Sequence, residues 1–287
     1  MKRVIPIVIV IAIAVGLYFV ISGNRANGLN FEYKFKPGQV DKYKTTMDMT
    51  MTMPGMPSKL TGGSSAMTVD TSCITTQKVL NVKWNGSANV EVALSNFQMT
   101  APGMPAGMIP SMPDQKYTMT MSKDGEFGNV NITSGAQQQN GMDMKSLFNQ
   151  MSSYHMPGKR LKLGDSYETT VPMPFGGDMR VVSRLAALNV PIAGTTAAKI
   201  IQKYAGHCNL SEMAKKLKKG SSQAQGFMSK GTMDIDGHGV IYFSITEGKL
   251  IETHTASTVT IKTDMPGAAA GTGEMKMDMK MSMVKMK

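Results

Sequence analysis

The chain has 287 residues, a formal net charge of +11 and an aromatic content of only 6%. Its length allows one large domain or two small ones, and its positive charge favours acidic partners. Because the sequence has no basic run with interleaved aromatic residues, we do not expect it to bind nucleic acid.

The first feature along the chain is an apolar segment, Val4–Ile21, which follows Lys2 and Arg3. A segment of about 18 residues is long enough to cross a bilayer, and flanking cations remain on the cytoplasmic side. We therefore predict a single-pass protein of the cell membrane that contacts the membrane through Val4–Ile21. Cleavage of this segment as a signal peptide is the alternative. In both cases the main domain is extracytoplasmic, either periplasmic or at the cell surface.

The rest of the chain is predicted to form one antiparallel β domain. We assign residues 1–22 to the membrane anchor or uncleaved signal, 23–30 to a linker and 31–287 to the domain. Two sequence echoes in the same order indicate an internal duplication, with pseudo-repeat halves at 31–134 and 157–287.

Two pairs of segments carry these echoes. Leu161–Met173 is similar to Phe35–Met47, and Thr232–Val240 is similar to Thr120–Val130. We therefore predict a mainly β fold with a large curled antiparallel sheet, built either as a half-barrel or as two meander halves.

Methionines at every second position mark three of the predicted strands. Period 2 is the strand period, so the thioethers share one face and the intervening polar residues share the other. The stripes are Met47, Met49, Met51 and Met53; Met119 and Met121; and Met275, Met277, Met279, Met281 and Met283. A sheet of such strands covers an apolar interior on one side and meets water on the other.

Turn signals delimit the other strands. Asn85-Gly86, Asp124-Gly125 and Glu247-Gly248 are predicted to form hairpin turns, and Asp236-Gly237 is interpreted as a turn as well. The alternation of aromatic and charged residues over Phe31–Lys36 predicts a further short strand.

A few short helices are expected beside the sheet. Met144–Met151 has apolar residues at helical spacing, and Ser211–Gly220 is predicted as a second helix that Ser211 caps. The outer face of the second helix carries four lysines, namely Lys215, Lys216, Lys218 and Lys219. These lysines form either a solvated face or a contact with anionic lipid at a membrane surface.

Short motifs resemble those of a loose group of uncharacterised bacterial envelope proteins, which are secreted or membrane-anchored. The motifs are Lys162–Tyr167, Pro157 upstream of it and Asp236–Gly239 downstream. The sheets of this group are similar to the curled half-barrel of LolA/LolB-type lipoprotein carriers. The resemblance covers the order of elements from Phe31 to Lys287, and it implies an apolar groove that takes an acyl chain. It brings no catalytic residues, and the high Met content departs from its pattern.

The methionine faces are the main candidate for a functional surface. Fully burying one Met side chain is worth about 1.5–3 kcal/mol, so such faces are covered by protein or by a ligand. Plain core packing is one interpretation, and a groove that adapts to a lipid, a lipoprotein or another hydrophobic ligand is the other. We therefore predict a non-enzymatic protein without a cofactor, which binds such a ligand or serves as a structural component of the envelope.

A soft-metal site is the alternative hypothesis. Thioethers select Cu(I), so the chain is also typical of a Met-rich periplasmic protein that binds Cu(I) or Ag(I). Same-face neighbours on one strand lie about 6.5–7 Å apart at the backbone, whereas two sulfurs on one ion come within about 4–5 Å. Met side chains can bend to this distance, but strict alternation then has no special merit. Loop methionines are therefore the better candidates, namely Met53, Met56, Met104, Met108 and Met112.

Motifs of common enzymes do not occur in the sequence. The four histidines are scattered, and there is no His-x-x-x-His, Cys-x-x-Cys or Gly-x-Ser-x-Gly. Residues His207 and Cys208 are adjacent, so on a strand they would face opposite sides and would not form a nucleophile–base pair.

The two cysteines, Cys73 and Cys208, lie far apart in the sequence. Outside the cytoplasm they would be able to form one disulfide. The other interpretation is that they are two small buried side chains.

Overall fold

The part of the chain that the computed structural model describes is almost entirely β-sheet. The described residues are Leu29, 31–52, 66–102, 113–125, 127–134, 138–139, 142–143, 161–173, 177–211, 231–264 and 272–287. The predicted anchor at Val4–Ile21 lies outside them. Within them, no helix has the length and apolar character needed to cross a membrane.

Thirteen strands are present in the described residues. They are β1 (Val40–Thr52), β2 (Ala66–Val82), β3 (Ala88–Thr100), β4 (Gln115–Met121), β5 (Phe127–Ser134), β6 (Gln138–Gln139), β7 (Met142–Asp143), β8 (Ser166–Pro172), β9 (Asp178–Ile192), β10 (Thr195–Asn209), β11 (Gly231–Ser244), β12 (Lys249–Asp264) and β13 (Thr272–Lys285). Eleven form one open antiparallel sheet in the order β5-β4-β3-β2-β1-β13-β12-β11-β10-β9-β8, and β6 pairs with β7 separately. The prediction of a mainly β fold with one large antiparallel sheet is confirmed.

Two meanders meet at the centre of this sheet. The strands β1 to β5 run outward to one edge, β8 to β13 run inward from the other edge, and β1 pairs with β13. The first sequence echo lies at the start of each meander, since Phe35–Met47 leads into β1 and Leu161–Met173 leads into β8, but the second echo does not occupy equivalent places. Thr120–Val130 spans the β4–β5 turn, whereas Thr232–Val240 lies inside β11.

The predicted turn at Asp236-Gly237 is wrong. Both residues lie within β11, where Asp236 is paired with Ala205 on one side and with Thr258 on the other. Because β11 is an inner strand, its neighbours satisfy its backbone groups on both sides and keep this Asp-Gly pair extended. The three other predicted turns are confirmed, since they join β2 to β3, β4 to β5 and β11 to β12.

Backbone hydrogen bonds at one end require the sheet to curl. The Tyr33 N–H donates to the carbonyl of Lys123 in the β4–β5 turn at 2.7 Å, and the Lys34 N–H donates to that of Gly248 in the β11–β12 turn at 3.0 Å. In a flat sheet, five strand spacings of about 4.8 Å would place β4 about 24 Å from β12. Because two consecutive residues reach both turns, the sheet curves around residues 31–36, which we call the crossing segment.

The crossing segment is not a strand, and the prediction from its alternation is wrong. Phe31 and Tyr33 are buried and pack on Phe243 with ring centroids 5.9 and 5.3 Å apart, while Lys34 and Lys36 are exposed. The alternation therefore distinguishes a buried side from a wet side, but the backbone runs across strand ends and not along a neighbouring strand.

The buried side chains of the sheet lie on the inside of this curve, which we call the concave face. Along β1 the odd-numbered residues from Asp41 to Met51 are buried, whereas Lys42, Lys44 and Asp48 are exposed on the convex face. Each long strand therefore separates the two faces by the period-2 pattern that the sequence predicts.

The two ends of the sheet differ in their connections. The crossed end contains the crossing segment and the short turns β2–β3, β4–β5, β9–β10 and β11–β12. The opposite end, which we call the loop end, is where longer connections join β1 to β2, β3 to β4, β10 to β11 and β12 to β13.

Helix is limited to Leu210 and Ser211 in the described part of the chain. The side chain of Asn209 accepts a hydrogen bond from the Ser211 N–H at 3.0 Å, so Asn209 and not Ser211 caps this helix. The remainder of this predicted helix, and the helix predicted at Met144–Met151, lie outside the described residues.

We expect substitution of Met49 by Asp to lower the free energy of unfolding by at least about 3 kcal/mol, because an unpaired carboxylate would enter an apolar layer. Met49 is fully buried. The control is Thr52→Asp on the same strand, which is exposed and opposite Lys276, and we expect a change within about 0.5 kcal/mol. Urea unfolding of both variants measures the difference, and equal midpoints would contradict the assignment of faces.

Candidate functional site

The methionines of β1 and β13 meet in three consecutive pairs at the centre of the concave face. The register places Met47 opposite Met281, Met49 opposite Met279 and Met51 opposite Met277. Directly opposed residues in an antiparallel pair have Cβ atoms about 4.5–5.5 Å apart, so these thioethers are neighbours across the strands. The sequence predicts both stripes, but it does not predict that they pair with each other.

These methionines form a buried cluster that is separate from the main hydrophobic core. Its buried members are Met47, Met49, Met51, Met67, Val69, Ala101, Val259, Met277 and Met281. Partly buried Met275, Met279, Phe97 and Met99 pack against them. The cluster lies toward the loop end and is dominated by unbranched, flexible side chains, which adapt to irregular shapes.

A polar row continues from this cluster across the concave face. From Met47 and Met281, the register leads through Thr255 on β12 and Gly239 on β11 to Gln202 on β10 and Ser183 on β9. Gln202 and Ser183 are fully buried, and the Gln202 amide donates to the Ser183 hydroxyl at 3.0 Å. A methionine layer and a buried amide therefore lie in one row of the same surface.

Four buried oxygen atoms on this face have no hydrogen-bond partner among the described residues. They are Gln202 Oε1, Thr253 Oγ1, Thr263 Oγ1 and Thr71 Oγ1. Exchanging the oxygen and nitrogen positions of the Gln202 amide would leave its nitrogen, instead of its oxygen, without a partner. An unpaired buried polar group costs about 1–3 kcal/mol, so each of these atoms calls for a partner beyond the described residues.

Two glycines of β11 lie opposite Gln202 and Tyr204 of β10. An ideal Cβ on Gly237 would overlap the Tyr204 ring, whose hydroxyl donates to the carbonyl of Ala256 at 3.2 Å. An ideal Cβ on Gly239 would lie 3.9 Å from Gln202 Oε1 and 3.1 Å from the methyl group of Thr255. The absence of a side chain at Gly237 therefore leaves the space that the Tyr204 ring occupies, whereas a Cβ at Gly239 would meet Gln202 only at van der Waals distance.

The concave face around this row carries no charge. The concave positions of β9 to β13 in these rows are apolar residues, Gly, Ser, Thr, Gln and Tyr. The buried charges lie instead at the crossed end, where Asp41 is 3.2 Å from Lys285 and 3.7 Å from Lys249. Glu247 joins them through Lys249 at 2.6 Å, and the hydrogen bond from Lys249 lowers the pKa of the Glu247 carboxyl.

The convex face carries exposed ion pairs without a metal-ligand cluster in the described residues. His207 and Asp234 are 2.6 Å apart, and His254 pairs with Glu252. His207 is exposed while Cys208 is buried, so the two adjacent side chains face opposite sides, as predicted.

Both cysteines are buried and free, so Cys73 and Cys208 do not form a disulfide. Burial raises the pKa of the Cys73 thiol, which suppresses its reactive thiolate form. The interpretation as two small buried side chains is the one that the structure supports.

The other predicted site residues are not part of the methionine cluster. Met119, Met121 and Met283 are buried in the main core, and the Gln77 amide donates to the Met121 sulfur at 3.4 Å. The loop methionines and the lysine group lie outside the described residues, and they are Met53, Met56, Met104, Met108, Met112, Lys215, Lys216, Lys218 and Lys219.

Sequence reasoning missed the polar row. Ile200, Gln202 and Tyr204 alternate with Ile201 and Lys203, so a polar residue at a core-facing position was visible in the sequence. The same period placed Gly237 and Gly239 on one face of β11. Neither pattern by itself shows that the polar residues of β10 lie beside the glycines of β11.

Comparison with known proteins gives no family for this chain. No protein-family model matches it, and no curated protein matches it. A structure of lipovitellin that describes lipid–protein interactions is similar over 88% of this chain and 25% of that chain, with a TM-score of 0.42 and 10% identity. DynF from the dynemicin biosynthesis pathway of Micromonospora chersina is similar over 91% of this chain and 88% of that chain, with a TM-score of 0.25 and 9% identity. The chain thus spans about a quarter of the lipovitellin chain, and at these TM-scores neither likeness assigns a function.

We expect Gly237→Ala to lower the free energy of unfolding by about 1–3 kcal/mol, because the new methyl group overlaps the Tyr204 ring. The matched control is Gly128→Ala on β5, where a Cβ meets no atom within 4 Å, and its stability should be unchanged or slightly higher. Chemical denaturation compares the two. A neutral Gly237→Ala would show that Tyr204 does not lie across β11.

Alkaline pH should destabilise the fold through its buried tyrosines. Burial raises the pKa of Tyr204 and of Tyr117 to about 12, from an ordinary value of 10.0. The unfolded chain therefore loses these protons first, and the stabilisation that is complete below pH 10 is lost as the pH rises toward 12. Urea unfolding between about pH 9 and pH 11.5 measures the slope, and Tyr204→Phe should make it shallower.

Proposed function

We propose that this protein binds an amphipathic lipid with an uncharged polar head on the concave face of its sheet, without catalysing a reaction. The observation that carries the proposal is the shared row in which the Met47–Met281 pair leads to the buried, unpaired amide end of Gln202. One surface thus offers an adaptable apolar layer and a polar group that needs a partner.

The methionine cluster supports the apolar half of this proposal. Five of its six cross-strand methionines are buried and Met279 is partly buried, so an acyl chain would enter where these flexible, unbranched side chains repack around it. Met279 and Met275 are only partly buried, so the cluster retains apolar surface at its margin. An acyl chain placed there would cover that surface.

The polar row favours a lipid whose polar head group is uncharged. A hydroxyl group both donates and accepts, so it pairs with either end of the Gln202 amide and with the Thr253 hydroxyl. A carboxylate or phosphate would be buried among groups that carry no countercharge, which is costly. We therefore favour a monoacylglycerol-like lipid over a free fatty acid.

The location is part of the same proposal. The apolar length of Val4–Ile21 and the cations before it support a membrane-anchored protein whose β domain is extracytoplasmic. A structural role in the envelope without a ligand is the simpler version, and the unpaired atoms at Gln202 and Thr253 favour the version with a ligand.

Copper binding is the second candidate, and the β1–β13 register favours it. The three opposed methionine pairs bring thioethers together across strands, so strand methionines also qualify as Cu(I) ligands. Titration with Cu(I) under reducing conditions tests this directly. Failure of the variant Met49→Leu/Met279→Leu to weaken binding would exclude the strand site.

Native mass spectrometry of the full chain released from nanodiscs tests the lipid proposal. With mono-oleoylglycerol in the disc, the protein should retain one lipid, and with oleate it should retain much less. Gln202→Leu should weaken retention by about tenfold, because it removes the group that pairs with the head. Lys203→Gln is the control, since this neighbour faces the convex side and is exposed.

Two negative results have different meanings. Unchanged retention by Gln202→Leu would contradict the role of the polar row, while the apolar site would stand. No retained lipid on the parent chain would contradict lipid binding itself and would leave the structural role.

A further inference from the structure

Exposed apolar side chains are concentrated at the crossed end of the sheet. Of the six large hydrophobic residues that are exposed in the described part of the chain, four lie there, whereas Leu163 and Ile201 lie level with the middle of β9. The six are Val40, Leu80, Trp84, Met286, Leu163 and Ile201. Single exposed hydrophobic residues are ordinary, but this grouping at one end is not a scatter.

Four of these residues are neighbours on or beside β1, β2 and β13. Val40 on β1 is opposite Lys78 on β2, and Leu80 lies two residues after Lys78 on β2. The Met286 N–H donates to the carbonyl of Lys42 at 2.7 Å, which places Met286 beside β1. We call Val40, Leu80, Trp84 and Met286 the end patch, and their exposed fractions are 49, 42, 100 and 40%.

Trp84 is the outermost member of the end patch. It occupies the β2–β3 turn, where the Gly86 N–H donates to the carbonyl of Lys83 at 3.0 Å, and its side chain is fully exposed. Full exposure of a tryptophan ring to water does not stabilise the protein, whereas this amphipathic ring is favourable at the interface between water and lipid.

Positive charge surrounds the end patch. Exposed lysines on or next to it are Lys36, Lys42, Lys78, Lys83 and Lys287. Hydrogen bonds from Gly38 to Val79 and from Val79 to Gln39 hold the chain near Lys36 against β2. The carboxylates Asp41 and Glu247 at this end are already paired with Lys249 and Lys285, and Glu91 on β3 lies opposite Lys78. The excess positive charge is therefore carried by Lys36, Lys42, Lys83 and Lys287.

The chain also enters the domain at this end. The Leu29 N–H donates to the carbonyl of Leu161, just before β8, at 3.0 Å. Leu29 follows Ile21 by eight residues, which span at most about 29 Å when extended. A span at Val4–Ile21 would therefore hold the crossed end near the bilayer, while the 13 residues of β1 carry the loop end about 43 Å further away.

We infer that the end patch docks the crossed end onto an anionic bilayer surface, with Trp84 in the headgroup region and the surrounding lysines beside lipid phosphates. The inference rests on the anchor that the proposed function includes, but not on its lipid ligand. Apolar contact and attraction between lysines and anionic lipid act together on such a surface. The loop end, with the methionine cluster, then points away from the membrane.

The protein contains its own probe for this contact. Trp84 is the only tryptophan in the sequence, so tryptophan fluorescence reports on the end patch alone. We would reconstitute the full chain in phosphatidylglycerol nanodiscs and in phosphatidylcholine nanodiscs. The expected result is a blue-shifted emission and quenching by brominated acyl chains in the anionic discs, with a loss of both effects in the neutral discs.

A charge-reversed variant tests the lysines. Lys42→Glu/Lys78→Glu/Lys83→Glu should lose the blue shift and the quenching in anionic discs. The matched control is Lys262→Glu/Lys276→Glu/Lys280→Glu, which changes the net charge equally at three exposed positions toward the loop end and should keep both effects. Unchanged thermal unfolding of both variants establishes that the fold is intact.

Failure of the anchor and failure of the docking give different results. If the chain inserts into anionic discs but Trp84 emission stays red-shifted and unquenched, the docking is overturned and the anchor stands. If the chain does not insert, added vesicles of brominated phosphatidylglycerol decide the matter: quenching supports docking, and its absence overturns it. A blue shift that appears with increasing protein concentration without lipid would overturn it in favour of a contact between two copies.

Discussion

The pairing of β1 with β13 is the interaction on which the rest of the structure depends. Its ladder runs from Tyr43 opposite Lys285 to Thr52 opposite Lys276, and it joins two meanders that otherwise share no strand pair. Each meander alone would have a long unpaired edge at its richest methionine strand. Their union covers both edges and brings the two stripes together as the buried centre of one sheet.

The chemistry of the concave face changes gradually from this centre toward β9. Methionines on β1 and β13 give way to Thr and Ser on β12, to glycines on β11 and then to Gln202 and Tyr204 on β10. Gly237 matters because it lets the Tyr204 ring lie across β11. The result is a face that is soft and apolar at one side and polar but uncharged at the other, which is the combination that the proposed ligand requires.

The two ends of the sheet differ in how firmly their residues are held. The crossed end is fixed by backbone bonds from Tyr33 and Lys34 and by the charged group around Asp41, so it defines the curvature. The loop end bears the methionine cluster and the longer connections. Rigid positioning at one end and adaptable packing at the other would suit the flexible ligand that we propose.

Local sequence patterns determined which residues form strands and which face each strand buries, because period-2 alternation acts within one strand. The stripes at Met47–Met51 and Met277–Met281 and the turn at Asn85-Gly86 are of this kind. Alternation alone wrongly predicted a strand at residues 31–36, where the backbone crosses strand ends. The Asp236-Gly237 pair wrongly predicted a turn, because two neighbouring strands keep it extended. Only the tertiary structure decided that β1 meets β13 and that Gln202 lies over Gly239, because these contacts join residues far apart in the chain and depend on strand order and curvature, which no local pattern encodes.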